Sequence, residues 1–143
     1  MTLAMFCYDS MFEGCTNLIK APELPAMTLA GACYQNMFSG CISLTSAPKL
    51  PAATLDASCY AQMFSDCTSL TTAPELPAAT LANGCYDRMF NGCANLKVNI
   101  TSGKKIFTCP STIPISAVQY MFDNTGGAFT GTPTAGTTYY YTL

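Results

Sequence analysis

The sequence predicts an α/β repeat solenoid, a right-handed coil of about four 26-residue units that each hold one short helix and one short strand. Three observations predict it. The stretch CYQNMFSGC at 33–41 recurs as CYDSMFEGC at 7–15, CYAQMFSDC at 59–67 and CYDRMFNGC at 85–93. The step between copies is 26 residues for Cys7, Cys33, Cys59 and Cys85, and the same for Met11, Met37, Met63 and Met89. A second motif, built on Ala-Pro-x-Leu-Pro, keeps that step through Pro22, Pro48 and Pro74 and through Pro25, Pro51 and Pro77. A fixed period of roughly 20–50 residues marks a repeat architecture, in which a unit buries its apolar face only against neighbouring copies.

The helix of each unit follows from caps and periodicity. Thr28, Thr54 and Thr80 stand where an N-cap would, just before an apolar run. Leu29, Cys33 and Met37 follow at i, i+4 and i+8, with Tyr34 and Phe38 one step round, which makes a wide apolar stripe. Gln35, Asn36 and Ser39 fall off the stripe and should face water. Gly14, Gly40, Asp66 and Gly92 precede the second cysteine, and all suit the left-handed conformation that stops a helix. The strand comes next, over Thr45–Ala47. It is short because the Pro-x-Leu-Pro turn behind it supplies no ladder donors at proline.

The C-terminal part departs from the period. Ala117–Thr125 is a decayed copy aligned on Met121-Phe122, with Asn124 in the glycine position, and the tail TGTPTAGTTYYYTL predicts a turn and a closing strand. Two regions result: repeats over 1–98, then a degenerate repeat and cap over 99–143. The N-terminus opens mid-unit, Met1–Ala4 aligning on Met27–Ala30. The expectation is a fragment whose signal or anchor lies upstream. Its first coil would leave Leu3, Phe6, Cys7, Met11 and Phe12 uncovered, which predicts a homodimer through the N-terminal repeat.

Composition narrows the function classes. Half of the 143 residues are hydrophobic, a tenth are charged and the net charge is −2, which opposes a disordered chain. Only 6 residues are Lys or Arg, so no basic face is offered to nucleic acid. No apolar run approaches the roughly 18 residues of a membrane span.

The 9 cysteines have no histidine to share a metal with, and Cys-x7-Cys is no usual zinc spacing. Stacked coils would hold equivalent Cβ atoms about 4.8 Å apart, beyond the ~3.5–4.5 Å of a disulfide. Reduced thiols lining the core are therefore expected, with no metal and no cofactor. No enzyme is expected either: there is no histidine, no serine beside a base and no phosphate loop, Gly126-Gly127 being too short.

What varies between units is a set of strand-segment rows: Lys20, Ser46 and Thr72, then Glu23, Lys49 and Glu75, with Lys97 opening the fourth segment. These seven are the candidate protein-binding face. Weak ion pairs between coils are the plainer expectation for them.

The Ala-x-x-Leu-Pro, Met-Phe and Gly-Cys pattern over residues 2–98, with a weaker copy at 117–125, resembles the BspA-like leucine-rich repeat family of bacterial surface proteins. The resemblance implies leucine-rich-repeat-like coils with short parallel strands on a concave face. It also implies a cell-surface or secreted, non-enzymatic, adhesin-type module that binds a protein ligand such as a host extracellular protein. The alternative is a structural spacer that projects another domain.

Overall fold

The computed structural model describes residues 2–143. Among them there is no helix, and the strands all lie late in the chain: β1 Lys97–Asn99, β2 Lys104–Thr108, β3 Gly126–Gly127 and β4 Thr138–Thr142. They form one mixed sheet in the order β2-β4-β1-β3, with β1 and β3 parallel and β4 antiparallel to both β1 and β2. The expected α/β solenoid of short helices and short parallel strands is thereby overturned. The leucine-rich-repeat architecture goes with it, and adhesion, which rested on that architecture, loses its basis. Among the described residues no helix is long and apolar enough to cross a membrane.

The cysteine segments form ribbons of consecutive turns instead. In the second unit the N–H groups of Cys33, Gln35, Met37, Ser39 and Cys41 each donate three residues back, to the carbonyls of Ala30, Ala32, Tyr34, Asn36 and Phe38. The intervening N–H groups of Ala32, Tyr34, Asn36, Phe38 and Gly40 point out of the ribbon. They donate to the next unit, to the carbonyls of Ala57, Cys59, Ala61, Met63 and Ser65, at 2.8–3.0 Å. The same five-bond ladder joins the first unit to the second, the third to the fourth, and the fourth to 115–123. Each bond contributes about 1 kcal/mol net.

Such a ribbon needs a left-handed residue at every fourth position. Ala32, Asn36 and Gly40 have φ of 51°, 54° and 73°; Ser58, Gln62, Asp66 and Gly84, Arg88, Gly92 repeat the pattern. The left-handed glycine expected before the second cysteine is present, but as the third of a series rather than as a helix stop. Thr28 and Thr54, expected as N-caps, form an isolated parallel bridge with each other.

The apolar spacing misled because it fits both conformations. Eight residues along a helix turn about 800°, leaving the last side chain about 80° from the first. A four-residue repeat returns Cys33, Met37 and Cys41 to one side without drift. With apolar residues at two adjacent positions, nine residues are too few to separate the periods.

Side chains reinforce the stack. Tyr8, Tyr34, Tyr60 and Tyr86 stack at ring spacings of 5.8–6.1 Å. Phe12, Phe38, Phe64, Phe90 and Phe122 form a second column at 5.6–5.7 Å. The Cys, Met, Phe and Leu rows are buried in units two to four, whereas Cys7 and Met11 of the first unit are exposed. At the far end Phe107 meets Tyr86 edge-on, and Phe129 and Tyr139 cover Phe122.

Proline explains why strands appear only once. Thr45–Ala47, expected as a strand, makes a single backbone bond to the next unit, from the Thr71 N–H, before proline intervenes. The fourth unit carries Ile100 and Gly103 where the third has Pro74 and Pro77. With those donors restored, β1 pairs on both sides. Gly126 and Gly127 form β3 because only glycine fits there: a Cβ at Gly127 would lie 2.5 Å from the Val98 carbonyl oxygen. The cap thus uses the glycine pair for close backbone approach.

All 9 cysteines are free, and all but Cys7 and Cys15 are buried. The thiols of Cys41, Cys67 and Cys93 each donate to a phenylalanine carbonyl of the preceding unit (Phe12, Phe38 and Phe64), at 3.0–3.1 Å. Burial pushes Cys33 and Cys85 from the ordinary 9.0 to about 11 and Cys67 to about 12. Cys59 and Cys93 are raised by the same cause. Desolvation also lifts Tyr34 from 10.0 to about 12.

Four outcomes are expected from this fold. Alkylation of the native chain should modify Cys7 and Cys15 promptly and the other seven only after unfolding; prompt reaction of more than two thiols would contradict the packing. The raised thiols hold protons in the folded chain that the unfolded chain releases above pH ~9. Stability should therefore be level below pH ~9 and fall as pH rises toward ~11–12, as denaturant titration at each pH would show. Gln62→Gly removes a left-handed strain of about 1–2 kcal/mol against an added glycine entropy of about 0.5–1, and should raise the melting temperature. Gly127→Ala should lower stability by about 1–3 kcal/mol through the clash with β1.

Candidate binding grooves

The repeated Ala-Pro-x-Leu-Pro segments build the candidate site. Leu24, Leu50 and Leu76 are buried, as are Ala26, Ala52 and Ala78 two residues on. These anchors fix each segment to the core. The prolines between them hold φ near −65° and keep the backbone extended at the surface. Successive segments run side by side without closing into a sheet, and grooves lie between them.

Two grooves adjoin. The first, of about 450 Å³, lies between Lys20–Pro25 and the segment from Ser46 to Pro51. The second, of about 470 Å³, lies between 47–51 and 72–77, with Tyr141 of β4 joining its lining. Ala47, Pro48, Lys49 and Pro51 belong to both, so the middle segment is a shared wall.

Six of the seven candidate residues line these grooves: Lys20, Glu23, Ser46, Lys49, Thr72 and Glu75. Lys97 does not. It sits in β1, paired with Thr142 on one side and Gly126 on the other. Thr72 has a structural duty as well, because its hydroxyl accepts the Ala47 N–H at 3.1 Å across the second groove. The expected ion pairs between coils do not form. Among the described residues the one ion pair is Arg88 with Asp87 at 2.9 Å, away from the grooves. Lys20, Glu23, Lys49 and Glu75 are exposed, with charges that alternate in sign across the groove walls.

The backbone is the less expected part of the site. Among the described residues, no backbone N–H or carbonyl of 20–26 is hydrogen-bonded to another backbone group, and the same holds for the N–H groups of Lys49 and Leu50. An extended, proline-pinned chain with open donors and acceptors is suited to pairing with another extended chain. The spacing of the charged rows showed which side chains vary. It could not show the open backbone, which depends on how the proline segments sit against one another. Tyr141 was also beyond reach, because it arrives through the antiparallel return of β4 opposite Val98.

The site offers apolar walls, charged rims and backbone hydrogen bonding. Among the described residues no three Cys, Asp or Glu side chains converge as a metal-binding group. Comparison with protein-family models, with curated proteins and with solved structures finds no match.

Proposed function

We propose that the chain is a non-enzymatic protein-binding repeat module of a cell-surface or secreted protein, taking an extended segment of a protein ligand along the two grooves. The observation that carries this reading is the open backbone of 20–26, set beside proline walls and charges of both signs. An extended ligand chain would pair with those groups while its alternate side chains entered the grooves. The mixed charges of Lys20, Glu23, Lys49 and Glu75 favour a ligand segment of mixed charge over a nucleic acid. The surface or secreted location rests on the resemblance of the repeat pattern. A spacer that projects another domain is the second reading; the pairing of the Thr72 hydroxyl with the Ala47 N–H favours it, since that bond braces neighbouring units.

Peptides selected from a random displayed library on the folded chain separate the two. The binding reading expects enriched peptides whose affinity falls tenfold or more, about 1.4 kcal/mol, on Lys49→Glu and on Ala47→Trp. Arg88→Ala, away from the grooves, should leave affinity unchanged. Absence of enrichment, or equal binding to all variants, would leave the spacer.

A further inference from the structure

The ladder between units has a direction, and that direction assigns a partner to the N-terminal end face. Each unit donates from alternate N–H groups to the unit after it and accepts on alternate carbonyls from the unit before. In the first unit the donors Phe6, Tyr8, Ser10, Phe12 and Gly14 are all used on the second unit. The matching acceptors are the carbonyls of Met5, Cys7, Asp9, Met11 and Glu13. Among the described residues none of these five receives a backbone hydrogen bond. Their counterparts in the second unit, Gly31, Cys33, Gln35, Met37 and Ser39, are all satisfied. The first unit also exposes Met5, Phe6 and Met11, 56–65 % accessible, and its Tyr8 and Phe12 rings are the first of their columns.

We propose that this end face is a docking surface for a turn ribbon of the same 26-residue kind, presenting a free row of N–H donors. The argument is continuity with four interfaces already in the molecule, each with five bonds and, between units one to four, both ring columns. The complementarity also excludes two simpler occupants. A second copy placed face to face about a two-fold axis would set five carbonyls against five carbonyls, with no donor between them. A second copy placed end to end would need a free donor row at its C-terminal end. Two of the five donors of that row are already used, Phe122 on the Gly131 carbonyl and Tyr120 on the Thr132 hydroxyl, and Phe129 and Tyr139 close the ring column, so the five-bond ladder and the ring stack cannot both continue there. The homodimer expected from the apolar patch alone therefore lacks the hydrogen-bond pattern that the face requires.

The full chain, with a synthetic peptide spanning 28–53 as probe, tests this. The peptide carries Cys33→Ser and Cys41→Ser, so that only the chain's own thiols report. The readout is the alkylation rate of Cys7 and Cys15, resolved by mass spectrometry. The peptide should slow both, saturably, by about tenfold once its concentration exceeds Kd by that factor. A peptide N-methylated at Tyr34 and Phe38 keeps every side chain and loses two donors; it should leave both rates unchanged. Equal protection by both peptides would mean that apolar burial alone covers the face, and would overturn the proposal. So would no protection by either, or concentration-dependent self-association that protects Cys7 and Cys15 without peptide.

Discussion

The structure depends on one division of labour in the backbone. In each cysteine segment, every second N–H closes a turn within the ribbon and every other one bonds the next unit. A helix would satisfy most of its backbone internally and leave neighbouring units to meet through side chains alone. The ribbon instead leaves half its donors and half its acceptors for its neighbours, so a single unit cannot be satisfied alone. Stacking is compulsory for the backbone as well as for the apolar side chains. This is why the rows stay in register: displacing one unit by one residue would take its N–H row off the free carbonyls and set it against residues whose carbonyls already close turns within their own ribbon.

That requirement also accounts for the left-handed residues. Among the described residues eleven non-glycine residues have positive φ, Gln62, Arg88 and Tyr120 being three that gain nothing locally from it. At about 1–2 kcal/mol each, this strain would defeat an isolated ribbon. It persists because the inter-unit bonds and the ring columns over-determine the conformation. Arg88 shows the compensation in one residue: its guanidinium lies 4.7 Å from the Tyr120 ring centre and pairs with Asp87. Both Arg88 and Tyr120 are left-handed, one unit apart in the stack.

Much of the molecule was legible in the sequence, and the part that was not has a definable cause. The 26-residue period gave the unit, and the Tyr and Phe rows gave its core; Phe38 and Phe64 are fully buried. The closing strand at 138–142 was visible in its richness in Thr and Tyr. The helix was misread because Cys33, Met37 and Cys41 satisfy a period of four as well as one of 3.6. The corrective signal was present at the fourth positions. Ala32, Asn36, Gly40 and Ser58, Gln62, Asp66 and Gly84, Arg88, Gly92 include three glycines, an Asn, an Asp and a Ser, which are poor helix formers that tolerate turns. Read singly, each looks like a surface substitution. Read as a column, they mark the turn ribbon. Of the candidate binding face, the rows from Lys20 to Glu75 were legible because they vary while the core does not. Lys97 was misplaced because the fourth segment has lost its prolines and enters the sheet.

Proline content therefore decides what each unit's second half becomes. Where Pro22 and Pro25, Pro48 and Pro51, or Pro74 and Pro77 occupy the segment, the ladder cannot close and a groove remains. Where Ile100 and Gly103 replace them, the chain pairs as β1, recruits β4 and β3, and the rings of Phe107, Phe129 and Tyr139 end the columns. The prolines thus oppose two outcomes at once. They keep the groove walls from fusing into a continuous sheet, and they keep that side of the repeats from offering a paired edge to other chains. The open backbone at 20–26 is the residue of this compromise: too interrupted to build a sheet with its own neighbours, it keeps the unpaired groups on which the proposed pairing with an extended ligand chain rests.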